Sequence, residues 1–414
     1  MAGAGRLYAI IAQLENKETA SVETRPAPSS PLPAIECRCE GEAHEMGLKQ
    51  GETLRSKIAA LREGLRELEA FRFEQPGWLP YPLYLRLVEK KVADALVPAL
   101  RNSQPSMLAR LEGIALGSGL SLRSVCLLNA MEALLSTVRG RTVPALPGAC
   151  SAVAIRGGRS RDGRPVVAKN FDYVPQTQPF YIMRESRPRN GFRSLEFAVA
   201  SQAGAIDGIN EQGLCITMNY AVMTDEGQAA PLITMTIADA LAKCATAAEA
   251  AKRIAQQPHW GAGMLMMADA SGDVLCLELS NTRAAIRRPK EGEDKLVFTN
   301  VCHCAETREV QVPDTAVFSD RVPRVLRGRP VLQWHSDRAC RLESLVQSQG
   351  AFGPDELAAI MADHGPTGTP DGSSPCVHTD YWRTTAALQW FPASRSVRVS
   401  YGTACSAKYA ELGL

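Results

Sequence analysis

The chain has 414 residues, 45% of them hydrophobic and 22% charged, enough apolar material for a substantial core. Its 46 basic and 44 acidic residues leave a formal charge of +2, which gives no footing for nucleic acid or for an acidic membrane surface. No apolar run approaches the roughly 20 residues that span a bilayer, and the opening MAGAGRLYAIIAQLENKE lacks a secretory apolar core, so a soluble, cytoplasmic protein is expected.

Residues 1–35 read as a flexible tail that ends in the Pro/Ser-rich stretch SVETRPAPSSPLPAIE. From Glu42 the pattern turns helical, with Ile58, Leu61, Leu65 and Leu68 at spacings of three and four. A second helix is predicted after Pro82, a third over SMLARLEGIALGSGL, and a fourth over SLRSVCLLNAMEALL, entered through Ser121. Residues 36–149 thus form a mostly α region. After Pro144-Ala-Leu-Pro-Gly the chain turns β-rich, with SAVAIRG, PVVAKNFDY, YIMRES, SLEFAVAS and LCITMNYAV separated by Gly- and Asp-containing turns. One long helix is predicted over TIADALAKCATAAEAAKRIAQQ. It is followed by the strands GMLMMADA, VLCLELS, AAIRRP and LVFTN and by a hairpin over AALQWFPASRSVRVSYG. Residues 150–414 are therefore read as the catalytic region of a layered α+β protein.

Twelve cysteines are spread over the chain, mostly among apolar neighbours, as buried free thiols are. Cys37/Cys39 and Cys302/Cys304 form two C-x-C pairs, which do not have the C-x₂-C spacing of common zinc sites; no metal and no cofactor is expected. Cys376, His378 and Asp380 lie so close in sequence that they are not expected to face one another, and they are read as pocket lining. The aromatic residues Phe71, Phe73, Trp78, Tyr81 and Tyr84 are read as helix packing rather than as an acyl pocket.

The chemistry centres on PGACSAVAIRGGRSRDGRPVVAKNFDY. Small residues, Gly148 and Ala149, precede Cys150; a strand follows it; a DG turn reverses the chain; a second strand closes at Asp172. Such a hairpin brings Cys150 and Asp172 to one end of a sheet. By itself this fits either a catalytic pair or a buried cysteine beside a turn aspartate.

This passage resembles the nucleophile region of the penicillin-acyltransferase-like branch of the cysteine N-terminal-nucleophile hydrolases. Lys169-Asn170-Phe171-Asp172 matches that family's (Arg/Gln/Asn)-x-x-Asp motif, with lysine where the bile-salt-hydrolase branch has arginine. In order along the chain, GEAHEMGLKQGE, LLNAMEAL, AIDGINEQGLCITMNY, LVFTNVCH and SDRACRLESLV resemble further family segments. The resemblance implies a four-layer αββα sandwich and self-cleavage of the Ala149–Cys150 bond, which would leave two fragments as an obligate heterodimer. Cys150 would then be both nucleophile and bearer of the α-amine that serves as base. Asp172 would hold that amine, Asn219 and Asn300 would supply oxyanion donors, and Arg338 would support the nucleophile. Lys169, Tyr173 and Tyr220 are the substrate-binding candidates. The implied activity is a cysteine amidohydrolase or acyltransferase acting on a small-molecule acyl amide, with no nucleic acid or membrane partner. No Gly-rich phosphate loop points to coenzyme A, which favours a hydrolase. A reading of another class is a non-catalytic scaffold or metal-binding protein using the C-x-C and C-H-C clusters.

Overall fold

The computed structural model describes residues 32–136, 148–320, 322–348 and 350–414. The expected N-terminal tail, apart from residues 32–35, and the Pro144–Pro147 turn lie outside the described residues. The chain opens with β1 (Ile35–Gly41), followed by the helices α1 (Ala43–Thr53), α2 (Arg55–Gly64), α3 (Glu69–Phe73), α4 (Tyr81–Ser103), α5 (Pro105–Ser118) and α6 (Leu122–Ser136). Next come β2 (Gly148–Ile155), β3 (Val166–Tyr173), β4 (Tyr181–Pro188), β5 (Ser194–Val199), β6 (Asp207–Asn210) and β7 (Cys215–Tyr220). Then follow α7 (Ile233–Lys243), α8 (Ala247–Ala255), β8 (Gly263–Ala268), β9 (Val274–Leu279), β10 (Ala284–Arg287), β11 (Lys295–Phe298) and α9 (Ala305–Arg308). The chain ends with α10 (Gln333–Ser348), α11 (Pro354–Met361), β12 (Arg383–Phe391), β13 (Ser396–Tyr401) and β14 (Ala410–Gly413).

Two sheets form the centre. The eight-stranded sheet runs β1-β4-β5-β6-β7-β8-β9-β10 and the six-stranded sheet β11-β2-β3-β12-β13-β14. Among the strand pairs of the described residues, only β1–β4 is parallel. The alternation of strand side chains sets the layers. On β2, Cys150, Ala152 and Ala154 face a core shared with Met183, Phe197, Met264 and Met266 of the other sheet. Val153 and Ile155 face the opposite way, against Leu342 and Val346 of α10 and Leu357 of α11. On the far side of the eight-stranded sheet, Ile216 and Leu265 share a core with Leu241 of α7 and Ile254 of α8. The result is the expected α+β sandwich, layered αββα.

Three boundaries differ from the sequence expectation. The mostly α region begins with β1, which pairs with β4 as an edge strand of the eight-stranded sheet. Strand β2 starts at Gly148, so Cys150 lies inside a strand rather than just before one. The long helix predicted over residues 236–257 is two helices. Thr246 caps α8 by accepting from the Glu249 N–H at 3.3 Å, and the Glu249 carboxylate accepts from Ala245 N at 2.9 Å, which starts a separate helix. Of the aromatic set, Phe71 packs on Tyr84 with ring centroids 5.1 Å apart, but Trp78 is 81% exposed and packs no helix. No single helix among the described residues is long and apolar enough to cross a membrane.

The glycines of GEAHEMGLKQGE have a steric cause. Gly47 and Gly51 on α1 lie against Gly113 and Gly117 on α5, and a Cβ at any of the four would strike backbone of the opposite helix; at Gly51 it would sit 2.6 Å from the Ile114 carbonyl oxygen. The two helices therefore pack backbone to backbone. Alanine has the better helix propensity by about 1 kcal/mol, but overpacking costs about 1–3 kcal/mol. Gly51→Ala is expected to lower the urea unfolding midpoint; an unchanged or higher midpoint would show that the helices separate at little cost.

Candidate active site

The β2–β3 hairpin forms with Gly148 opposite Tyr173, Ala149 opposite Asp172 and Cys150 opposite Phe171. At Gly148 a Cβ would strike the Asp172 carbonyl oxygen, so the small residue before Ala149 is a condition of this register. Because side chains alternate, Cys150 and Asp172 reach the same end of the sheet but leave it on opposite faces. Cys150 looks into the layer between the sheets, beside Phe171. Asp172 looks toward the helices and is fully buried.

What reaches Cys150 is Asn300. Strand β11 pairs with β2 only as far as Phe298, opposite Ala152. Two residues on, the Asn300 side chain takes over: its Oδ1 accepts from Cys150 N at 3.0 Å. The same oxygen accepts from Arg338 Nη2 at 3.1 Å, and Asn300 Nδ2 donates to the Tyr220 carbonyl at 2.8 Å. Turning the amide over would set its NH₂ against two donors, so the orientation is fixed by the network. Asn300 thus holds the Cys150 nitrogen through its oxygen, and its amide group, the donor that the resemblance assigns to an oxyanion, is engaged with the Tyr220 carbonyl. Asn219 is likewise engaged: Nδ2 donates to the carbonyls of Phe298 at 3.4 Å and Thr299 at 3.0 Å, while its buried Oδ1 has no partner.

Arg338, on α10, is fully buried. It donates to Ser151 Oγ at 3.2 Å, to the Gly372 carbonyl at 2.9 Å and to His335 Nδ1 at 2.8 Å. Burial, reinforced by Arg338, holds His335 well below the usual histidine range, so a neutral ring accepts that bond. Asp172 Oδ1 accepts from Thr384 Oγ1 at 2.6 Å and its Oδ2 has no partner. Burial pushes Asp172 up to about 7, with Arg338 and then Thr384 and Lys169 pulling it down. The Cys150 thiol is pushed up to about 12, again by burial, with Lys169 pulling it down and Asp172 adding to the rise. In the intact chain the thiol is therefore protonated at neutral pH.

Lys169 shares the face of Phe171 and is fully buried, donating to Asp207 Oδ1 at 2.6 Å and to the Met218 carbonyl at 2.5 Å. Its charge is matched within the protein by Asp207. Tyr173 stacks on Phe171 at 5.2 Å and both line a cavity of about 630 Å³. Leu61, Met131, Phe180 and Ile206 supply much of its apolar wall, and Glu132 and Asn129 also line it. Tyr220 does not line that cavity but is buried beside the site: its carbonyl accepts from Asn300, and burial, with Cys150 adding to the rise, pushes its phenol well above the usual range. Burial pushes Glu132 up to about 7, with Lys169 pulling it down and Asp207 adding to the rise. Asn129 holds this helix in place by donating to the Ser201 carbonyl at 2.8 Å and accepting from Ala203 N at 2.8 Å.

Thr384, Ser151, His335 and Asp207 were not identified from sequence as site residues, nor was Glu132 given a role. Thr384 is 212 positions from Asp172, and no local pattern marks such a contact. Glu132 alone had a signal, in the LLNAMEAL segment. The C-x-C pair Cys37/Cys39 is buried in β1 with its sulfurs 3.3 Å apart. Neither C-x-C pair belongs to a metal-competent cluster among the described residues.

Residues 159–324 match the family model described as acyl-coenzyme A:6-aminopenicillanic acid acyl-transferase. The chain carries a penicillin acyltransferase-like domain. The match takes in Lys169, Asp172, Asn219 and Asn300; it begins after Cys150 and ends before Arg338. No curated protein sequence matches the chain. Among solved structures, an N-acylethanolamine-hydrolyzing acid amidase ortholog of Caenorhabditis elegans is similar at 13% identity, covering 59% of this chain and 93% of its own, with a TM-score of 0.40. A penicillin V acylase of Agrobacterium tumefaciens is similar at 15% identity, covering 64% and 86%, with a TM-score of 0.40. A conjugated bile acid hydrolase of Clostridium perfringens is similar at 12% identity, covering 64% and 97%, with a TM-score of 0.37.

The raised carboxyls fix the sign of a pH dependence. Asp172 and Glu132 have ordinary values of 3.8 and 4.5 and titrate near 7 in the folded chain. Below the ordinary values both states are protonated and their contribution is fully present; it is lost as pH rises through about 7, because the unfolded chain ionises first. The Cys150→Ala chain is expected to lose urea resistance between mildly acidic and mildly alkaline pH, and adding Asp172→Asn is expected to flatten the slope. An unchanged slope would show that Asp172 is ionised throughout.

Proposed function

We propose that the chain cuts itself between Ala149 and Cys150 and then uses the Cys150 thiol to take an acyl group from an N-acyl amide. The match of residues 159–324 to an acyl-transferase family model supports this reading; the cysteine mechanism and the substrate are our own. The observation that carries it is the hold of Asn300, itself fixed by Arg338, on the Cys150 nitrogen. That nitrogen is the amide of the bond to be cut and afterwards the α-amine of a new chain end.

In the first step the Cys150 sulfur attacks the Ala149 carbonyl carbon. The C–N bond breaks as the C–S bond forms, and the thiol proton passes to the departing nitrogen. Water then hydrolyses the thioester, giving an Ala149 carboxylate and a free thiol. The new α-amine has an ordinary pKa near 8, within reach of the role of general base. Asp172 Oδ2, buried and without a partner, is an acceptor suited to it. In turnover the thiol attacks the substrate carbonyl, the amine leaves with the proton held by the base, and water or a second amine releases the acyl group. Asn219 is the amide best sited to turn toward an oxyanion, because one of its two carbonyl contacts is long at 3.4 Å. The cavity behind Phe171 and Tyr173, with its mostly apolar wall, suits the acyl part of a small amide.

Mass spectrometry of the purified protein tests the first step. Two fragments, 1–149 and 150–414, are expected, and Cys150→Ala is expected to give one folded, inactive chain. A wild-type chain that stays whole and inactive, or a Cys150→Ala chain cut at the same bond, would overturn the proposal. A panel of N-acyl amides assayed with and without amine acceptors then separates hydrolase from transferase.

A further inference from the structure

Four residues outside the Cys150 site converge near the C-terminal end of the sandwich. His364 follows α11, Cys376 and His378 lie in the loop before β12, and Cys405 sits on the turn after β13. One ligand atom from each falls within 4.8 Å of all the others. Against the sequence expectation, Cys376 and His378 do face one another, with Sγ and Nε2 3.3 Å apart; Asp380 points to solvent instead. Cys405 Sγ lies 3.5 Å from the same Nε2. In a tetrahedral zinc site with bonds of about 2.3 Å to sulfur and 2.05 Å to nitrogen, a sulfur and a nitrogen ligand stand roughly 3.5 Å apart. The observed spacings match that edge.

A second observation points the same way. His364 Nε2 is buried and has no hydrogen-bond partner. The ring lies edge-on to that of His378, centroids 5.2 Å apart. A buried ring nitrogen without a partner is costly in a folded protein, and a metal would satisfy it. Two thiolates and two neutral imidazoles neutralise a divalent ion, and a tetrahedral S₂N₂ donor set selects zinc.

We propose that His364, Cys376, His378 and Cys405 bind a zinc ion in a closed, structural site. Its place gives it a task. Val377, between two of the ligands, donates its N–H to Thr384 Oγ1 at 2.9 Å and accepts from Thr384 N at 2.9 Å. Thr384 in turn donates to Asp172. The ion holds the loop that orients the Asp172 carboxyl, and with four protein ligands it leaves no open position for substrate.

Elemental analysis of protein purified under reducing conditions without chelator is expected to find one zinc per chain. Cobalt added to the metal-free protein is expected to give the visible absorption of a tetrahedral thiolate complex. An outer partner of a metal ligand is worth about 10–100-fold in affinity, so Cys405→Ser, at an exposed position, and His364→Asn are each expected to weaken zinc by more than that. Cys340→Ser, an exposed cysteine outside the cluster, is expected to bind zinc like the parent. Circular dichroism checks that each variant is folded. A folded parent that holds no zinc and gives no cobalt spectrum, or one in which Cys376 and Cys405 are found as a disulfide, would overturn the proposal. None of these measurements depends on chain cleavage or acyl transfer.

Discussion

The hydrogen bond from the Cys150 amide to the Asn300 side chain is the joint on which the site turns. It stands where a backbone ladder would continue if β11 were two residues longer. A side chain in that place does what a backbone carbonyl could not: besides accepting a second bond, from Arg338, it donates a third, to Tyr220. Asn300 thereby connects β2, the end of β7 in the other sheet, and α10. Each buried group released by its loss would cost about 1–3 kcal/mol, which explains why so small a side chain is surrounded by so many fixed partners.

Two buried cations flank the six-stranded sheet, one on each face. Lys169 lies between the sheets against Asp207, and Arg338 lies under α10 with carbonyl, hydroxyl and imidazole partners. Both draw down groups that burial pushes up, Lys169 acting on Cys150 and Arg338 on Asp172. For both groups burial is the larger effect, and it keeps them near their neutral forms in the intact chain. Charge would enter this region with the proposed α-amine, the first new ionisable group to form there.

Much of this was legible in the sequence. The β2–β3 hairpin, the helix carrying Arg338 and the strand ending near Asn300 each have a local signature of alternation or helical spacing. The order of the motifs, rather than any single one, pointed to the penicillin acyltransferase-like domain. What sequence did not show is what strangers in the chain do together. The resemblance implied a donor role for Asn300, but no local pattern shows that its oxygen accepts from Cys150 N and Arg338 while its amide donates to Tyr220. Lys169 meets Asp207 only because β3 and β6 lie in facing sheets. The four-residue His/Cys cluster has no spacing of a familiar zinc motif, since its members come from three separate turns.

Strand β1 carries a consequence for the life history of the molecule. It is hydrogen-bonded to β4, and Gln50 of α1 donates to the carbonyls of Ala200 and Gln202 at 2.9 Å, so residues before Cys150 are woven into those after it. A chain cut at Ala149–Cys150 would keep its shape but not the instructions for regaining it. Refolding would require two separate polypeptides to find each other, a second-order event that dilution slows, where the precursor needed only itself. Such a protein would be made once: durable while assembled, and unable to recover fully after being denatured.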